Sequence, residues 1–318
     1  MKVLVTGVSG FIGSYFAKLV IKRGWKVVGF ARNSDQKNLL RIKEIQNNEN
    51  FHLIYGDLTG DISGLVEDVD VIVNFAAKTF VDHSIKDPRP FIYSNLVGTY
   101  NLLEQARFYK TKLYFQVSTD EVYGAILDGS YKEDSRLNPT NPYAATKAAA
   151  DVLTLSYWNT YGLPAIITRT ENNYGPMQHP QKAMPVFVKA ALEGRKLPVY
   201  GDGKHRRMWL HVRDHCEAIT HLIEKFFDNK IGAGEIYHVA GEQELENIEL
   251  ARKILRILGK PEDQIQLIDD RNIRPGHDRR YALDTTKLKS TGWKPKISLD
   301  EGLKEVVNWY KDNDWWLK

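Results

Sequence analysis

Six short stretches in the first half of the chain are apolar almost without interruption: KVLVTG (2–7), WKVVGFA (25–31), FHLIYGD (51–57), DVIVNFAA (70–77), KLYFQVS (112–118) and AIITRT (165–170). Runs this short that do not alternate with polar residues predict strands covered on both faces, the habit of parallel sheets. Between them lie longer stretches at 11–23, 89–109 and 142–161 with helical periodicity. The alternation predicts an α/β fold, a Rossmann-like doubly wound parallel sheet. After about residue 170 the texture changes to prolines, brief strands and shorter helices at 183–193, 214–228, 247–258 and 300–312. The expected division is a dinucleotide-binding domain over 1–170 and a smaller α/β substrate-binding lobe over 171–318. A segment near 208–230 is expected to return and pack on the first domain.

Composition narrows the class without naming it. The 318 residues are 42% hydrophobic and 26% charged, an ordinary globular balance. A net charge of +4, spread along the chain, gives no case for nucleic acid, though a mildly basic cleft would suit an anionic small molecule. Cys216 is the single cysteine, so no intramolecular disulfide is available and a reducing compartment is expected. MKVLVTG is too short for a signal sequence, and the apolar runs fall well below the ~18 residues of a membrane span. A cytoplasmic protein is expected.

TGVSGFIG (6–13) places Gly7, Gly10 and Gly13 between the first strand and the first helix. Gly7 would permit the tight turn, Gly10 would let a pyrophosphate approach the backbone, and Gly13 would let helix and strand pack closely. Phe11 and Ile12 open the helix whose N-terminus would hold the phosphates. The second strand ends at Ala31 and Arg32 where an acid for the NAD ribose is usual; an arginine there accepts a 2′-phosphate and favours NADP, although Asp35 lies close by. Asp57 reads either as an adenine-edge contact or as a turn cap, and Leu58 and Ala76 complete the expected cofactor contacts.

NPYAATK (141–147) carries Tyr143 and Lys147 four apart behind Asn141, a good N-cap, and Pro142, which fits the first helical position. Both side chains then share one helix face, and the ammonium is expected to lower the phenol from about 10 toward neutrality, making it a usable base. VSTDEVYG (117–124) sets Asp120 and Glu121 side by side after an apolar strand. Burial and like charge would raise one carboxyl, separating an acid from a base. His211 and His215 are also four apart, but with no cysteine or acid cluster at ligand spacing they read as packing or capping, and no metal is expected.

These stretches, with VNFAA, NNYGP, LPVYGDG, WLHVRDH, RPGHDRRYALD and GLKEVVNWY, run collinearly over essentially the whole chain. The chain resembles the extended short-chain dehydrogenase/reductases and, within them, the nucleotide-sugar 4,6-dehydratases that act on dTDP-glucose. The STDEVYG run discriminates most, since the related epimerases and decarboxylases lack the adjacent acids. The resemblance implies that Tyr143 takes the proton of the sugar 4-hydroxyl as hydride leaves carbon 4 for NAD or NADP. Glu121 then removes the carbon-5 proton, protonated Asp120 expels the 6-hydroxyl as water, and the hydride returns to carbon 6. Thr119 would bond the 4-oxygen. Asn172, Lys182 and Asn247 match substrate contacts, and Arg207, Arg274, His277 and Arg280 would face the diphosphate. The family is usually homodimeric, here through helices near 89–109 and 142–161.

The chain departs from the family pattern around the sugar: Lys78, Phe80 and His83 follow VNFAA where an acid, His and Arg are usual, Gln181 replaces an acid, and Met208 an aspartate. The base therefore stays open among dTDP, UDP, CDP and GDP. A nucleotide-sugar 4-epimerase or decarboxylase is the alternative, and a cofactor-sensing binding protein a third.

Overall fold

The computed structural model describes residues 1–33 and 36–318. The apolar runs form β1 (Lys2–Thr6), β2 (Lys26–Ala31), β3 (Phe51–Tyr55), β4 (Val71–Asn74), β5 (Leu113–Thr119) and β6 (Ala165–Thr170). The second half adds β7 (Asn172–Tyr174), β8 (Leu197–Tyr200), β9 (Arg206–His211), β10 (Glu235–Val239), β11 (Glu244–Glu246) and β12 (Ile265–Ile268). One seven-stranded sheet has the order β10-β6-β5-β4-β1-β2-β3, with all neighbours parallel. Chain order reverses between β1 and β4, so the crevice beyond their carboxyl ends is where such a sheet binds ligands.

The sheet is sealed on both faces, as continuous apolar strands require. Phe16 and Val20 of helix Phe11–Lys22 and Ile219 and Leu222 of helix Val212–Phe227 cover one face. Leu102 and Leu103 of helix Gly98–Phe108 and Tyr157 of helix Pro142–Tyr161 cover the other. The segment that rejoins the first layer is longer than 208–230: it includes β10, an edge strand that the hydrophobic pattern did not assign. Cys216 is buried here, its thiol 3.6 Å from the Ile12 carbonyl.

The stretch 89–109 is not one regular helix. A π-helical segment, Ile92–Val97, precedes helix Gly98–Phe108. From that widened turn Asn95 accepts a hydrogen bond from Lys78 N (2.8 Å), donates to Lys78 O (3.1 Å) and donates to Thr146 (3.0 Å). It thereby ties the loop after β4 to helix Pro142–Tyr161. Such widened turns recur at functional sites.

The second lobe has its own core, with Met184 and Phe187 packed on Leu250, Ile254, Leu303 and Trp316. It contains the β11-β9-β7 sheet and the β12-β8 pair. Among the described residues no helix is long and apolar enough to cross a membrane.

Candidate active site

The glycine loop closes by a hydrogen bond from Gly10 N to Gly7 O (2.8 Å). Gly7 has φ +64°, and a β-carbon there would stand 3.0 Å from the Ala76 backbone; one on Gly13 would stand 2.5 Å from Gly7 O. Only glycine fits either place. The loop borders a cleft of about 510 Å³ lined also by Arg32, Asp57, Leu58, Ala76 and Lys78. Phe11 and Ile12 begin the helix beside it. Asp57 serves its turn, accepting from Thr59 N (2.9 Å) and Thr59 Oγ1 (2.8 Å), while it lines the cleft. Those bonds and the nearby Arg32 and Lys78 outweigh its partial burial and hold its carboxyl below the usual range. Asp35 lies outside the described residues. Bare backbone at a sheet switch point and two cations beside the cleft fit a dinucleotide.

All of β5 is buried, and it delivers Ser118 and Thr119 to the carboxyl edge of the sheet. Thr119 accepts from Glu121 N (3.3 Å) and so starts a short 3₁₀ turn, Asp120–Tyr123. Gly124 ends the turn with φ +77°, its backbone packed so closely that a β-carbon would meet Asn138 O at 2.5 Å. The turn fixes both acids: Asp120 Oδ1 accepts from the Thr119 hydroxyl (2.9 Å), and Glu121 Oε2 accepts from Asn141 Nδ2 (3.3 Å).

Asn141 Oδ1 also caps the next helix through Ala144 N (2.9 Å). Tyr143 and Lys147 lie on its inner face, both buried, and Lys147 Nζ donates to Val117 O (2.7 Å). Burial raises Asp120 to about 7, helped by the Glu121 charge, and raises Glu121 as well. Burial lowers Lys147 to about 8. The expected shift of Tyr143 is corrected here. Burial, then Glu121 and Asp120, push the phenol well above its ordinary value, and the nearby Thr119 hydroxyl works against them. The ammonium meanwhile donates to the Val117 carbonyl.

Sequence reading missed a third carboxyl. Glu171 follows β6, is only 2% exposed, and accepts from Met208 N (3.3 Å). It lies within hydrogen-bonding reach of Asp120. The signal was an acid directly after an apolar strand in RTENNYG, overshadowed there by Asn172.

Other expected substrate residues fall in two groups. Lys182 and Arg274 bring positive charge toward Glu121. Lys182 donates to Thr79 O (3.1 Å) and stands 4.5 Å over the Phe80 ring, which also packs on His83 and His179. Arg274 pairs with Asp82 (2.7 Å). Arg207 is buried, donates to Asp278 O (2.8 Å) and lies over Tyr281, within electrostatic range of Asp120 and Glu171. Arg280 is further off, in a forked pair with Glu244 (2.6 and 3.1 Å). Asn172 is exposed on β7, and Asn247 starts its helix by donating N–H to His205 O (2.9 Å).

His277 bonds Asp270 (2.7 Å) and stacks on His205 at 4.0 Å. The three offer ligand atoms within 4.8 Å, but His277 Nε2 is 3.4 Å from both Arg207 and Arg274, so a cation would face two guanidiniums. The trio reads as a brace for those arginines. His211 caps its helix by accepting from Arg213 N (3.3 Å), and His215 bonds Asn173 (2.9 Å).

A glycine cradle at the switch point of a doubly wound sheet, with a Tyr–Lys helix facing a Thr–Asp–Glu turn, defines an extended short-chain dehydrogenase/reductase. The chain belongs to the GDP-mannose 4,6 dehydratase family, whose model matches residues 4–306. It is 42% identical to the dTDP-glucose 4,6-dehydratase of Streptomyces niveus over 99% of this chain and 95% of that one. The crystal structure of the Streptomyces venezuelae dTDP-glucose 4,6-dehydratase, solved with NAD bound, superposes with a TM-score of 0.92 at 38% identity, covering 100% and 99% of the two chains. The Bacillus cereus UDP-glucuronic acid 4-epimerase, in complex with UDP-glucuronic acid and NAD, also gives 0.92, at 28% identity and 98% and 100% coverage.

Proposed function

We propose that the protein is a nucleotide-sugar 4,6-dehydratase that converts a nucleoside-diphosphate hexose, dTDP-glucose foremost, to the 4-keto-6-deoxy sugar. The observation that carries this reading is the adjacent pair of buried Asp120 and part-buried Glu121 beside Tyr143 and Thr119, which a simple epimerase does not need. In it, Tyr143, whose phenolate the positive charge of Lys147 and of a bound oxidised nicotinamide ring would favour, takes the proton of the 4-hydroxyl while Thr119 hydrogen-bonds the 4-oxygen. Glu121, held by Asn141, takes the carbon-5 proton made acidic by the new ketone. Asp120, its proton retained near neutral pH, gives it to the 6-hydroxyl, which leaves as water. Each such transfer contributes roughly 10²–10⁴-fold. NAD or NADP, when bound along Gly7, Gly10, Gly13, Asp57 and Ala76, supplies the hydride acceptor and donor. Arg32 at the cleft favours NADP, whereas the relatives above were solved with NAD.

Lys182 and Arg274 near Glu121, with Arg207 and His277 behind them, suit an anionic diphosphate. Arg280, held by Glu244, ties its own loop to the carbonyls of Leu127 and Gly129. Asn172 and Asn247 complete the proposed substrate contacts. A homodimer fits the outer face of the helices expected to pair, where Tyr93, Tyr100 and Val152 are exposed.

The test is turnover on a panel of nucleotide sugars with products weighed by mass spectrometry and the bound cofactor extracted. Loss of one water from dTDP-glucose supports the reading. An unchanged mass with inversion at carbon 4 by NMR would establish the epimerase instead.

A further inference from the structure

We propose that Glu171 is a positioning residue for the general acid: its carboxyl shares a proton with Asp120 and keeps that proton available while the 6-hydroxyl departs. The inference rests on the dehydratase reading and adds to it a group outside the expected catalytic set.

Glu171 Oε2 accepts the Met208 N–H and Asp120 Oδ1 accepts the Thr119 hydroxyl. Glu171 Oε1 and Asp120 Oδ2 remain, both sealed from solvent and without another hydrogen-bond partner among the described residues. Both are acceptors only when ionised, so two anions there would repel and leave lone pairs unmet. One O–H between them removes both difficulties. The surroundings agree: Glu121, Tyr143 and Tyr281 add no positive charge, while Arg207 from β9 and Arg280 are the cations that bear on the pair. Burial and mutual charge raise both carboxyls.

The proton count closes. As water leaves, the Asp120 O–H bond and the sugar C6–O bond break, and a new O–H bond forms on the departing oxygen. The pair is then without its shared proton, and the repulsion between two buried carboxylates draws a proton back to it. The proton that Tyr143 took from the 4-hydroxyl returns to the pair by way of the Thr119 hydroxyl, which donates to Asp120 Oδ1 (2.9 Å) and lies close to the phenol. No external acid is consumed.

The test is kcat and KM against pH for wild type and Glu171→Gln with dTDP-glucose, alongside single-turnover absorbance of the reduced cofactor. Glutamine keeps an acceptor for Met208 N but cannot share a proton, so Asp120 titrates alone. The expected result is an alkaline limb of kcat moved down by about one pH unit, a roughly tenfold loss above it. Reduced cofactor should accumulate, and KM should stay within about twofold, because Glu171 reaches the sugar only through Asp120. A wild-type pH profile with no accumulation overturns the proposal. A second measurement does not depend on that variant or on turnover. In Glu121→Gln protein, the infrared band of a protonated carboxyl, assigned by its change on Asp120→Asn, should persist above the ordinary carboxyl range, through about pH 6. Its disappearance in the ordinary carboxyl range, about pH 4–5, overturns the shared proton. If wild type dehydrates no sugar nucleotide, the functional reading fails and the infrared band still decides the pair.

Discussion

Asn141 and Glu121 are joined by a 3.3 Å hydrogen bond, and the same Asn141 side chain caps the helix that carries Tyr143. One amide thus sets the position of the proposed carbon-5 base relative to the 4-hydroxyl base. Asn141→Ala should cost about 1 kcal/mol of stability for the cap and lower kcat by more than that loss explains. Asn141→Asp keeps the capping oxygen but sets a second anion against Glu121, raising its pKa further. Its kcat should therefore fall most at low pH. Thermal melts and kcat profiles for both variants check this, and equal loss of kcat at all pH values in Asn141→Asp would argue against it.

Glu121→Gln should still permit oxidation at carbon 4 but stop elimination. Product formation should drop roughly 10²–10⁴-fold while cofactor reduction survives. Stopped-flow absorbance against product release separates the two steps. Wild-type release of the deoxy product would remove Glu121 from its role.

Arg169 of β6 donates through Nε to Asp151 (2.9 Å) on the Tyr143 helix, both wholly buried. Asp151→Asn strands a buried guanidinium and should cost about 3–5 kcal/mol. Replacing both partners with apolar residues should recover part of that. Urea unfolding of the two variants measures the difference, and a double variant no better than the single would contradict it.

His211, His215 and His238 are held down to about 3, chiefly by burial. An unfolded chain takes protons on these side chains near 6.5, so between there and about 3 the unfolded state binds more. Stability should therefore fall as pH drops through that window. Asp120 acts oppositely: raised to about 7, its burial favours the fold below the ordinary carboxyl pKa and loses that contribution as pH climbs to neutrality. Unfolding free energies from pH 4 to 8 should rise through the histidine window, and His215→Asn should flatten the rise. A slope unchanged by that substitution would refute the assignment.

Gly13→Ala places a methyl 2.5 Å from Gly7 O and must push the first helix off its strand. The expected cost is roughly 1–3 kcal/mol, with a larger loss of dinucleotide affinity. Calorimetry with NAD and NADP reads it directly, and full affinity in the variant would mean that the loop is not the cradle.

What could be read beforehand was what is local. The glycine loop, the Asn141–Pro142 helix start and the strand ending in Thr119 each depend on neighbours in sequence, and each formed where expected. β10 escaped because five residues, EIYHV, acquire meaning only beside β6. The break at Ile92–Val97 escaped because Asn95 answers to Lys78 and Thr146, far away in the chain. The Tyr143 shift was misjudged for the same reason: Lys147 is one helical turn away and visible, whereas the opposing carboxyls arrive from another strand. Glu171 acquires its role only where β6, β9 and the Asp120 turn converge.

β5 is buried along its whole length and terminates at Thr119. Thr119 and the two acids after it are therefore anchored to a fully buried strand, with Tyr143 on the helix beside it, while Lys182, Arg274 and Phe80 lie outside that strand and helix. Such a division lets the recognised sugar nucleotide drift over evolutionary time without disturbing the water-removing step.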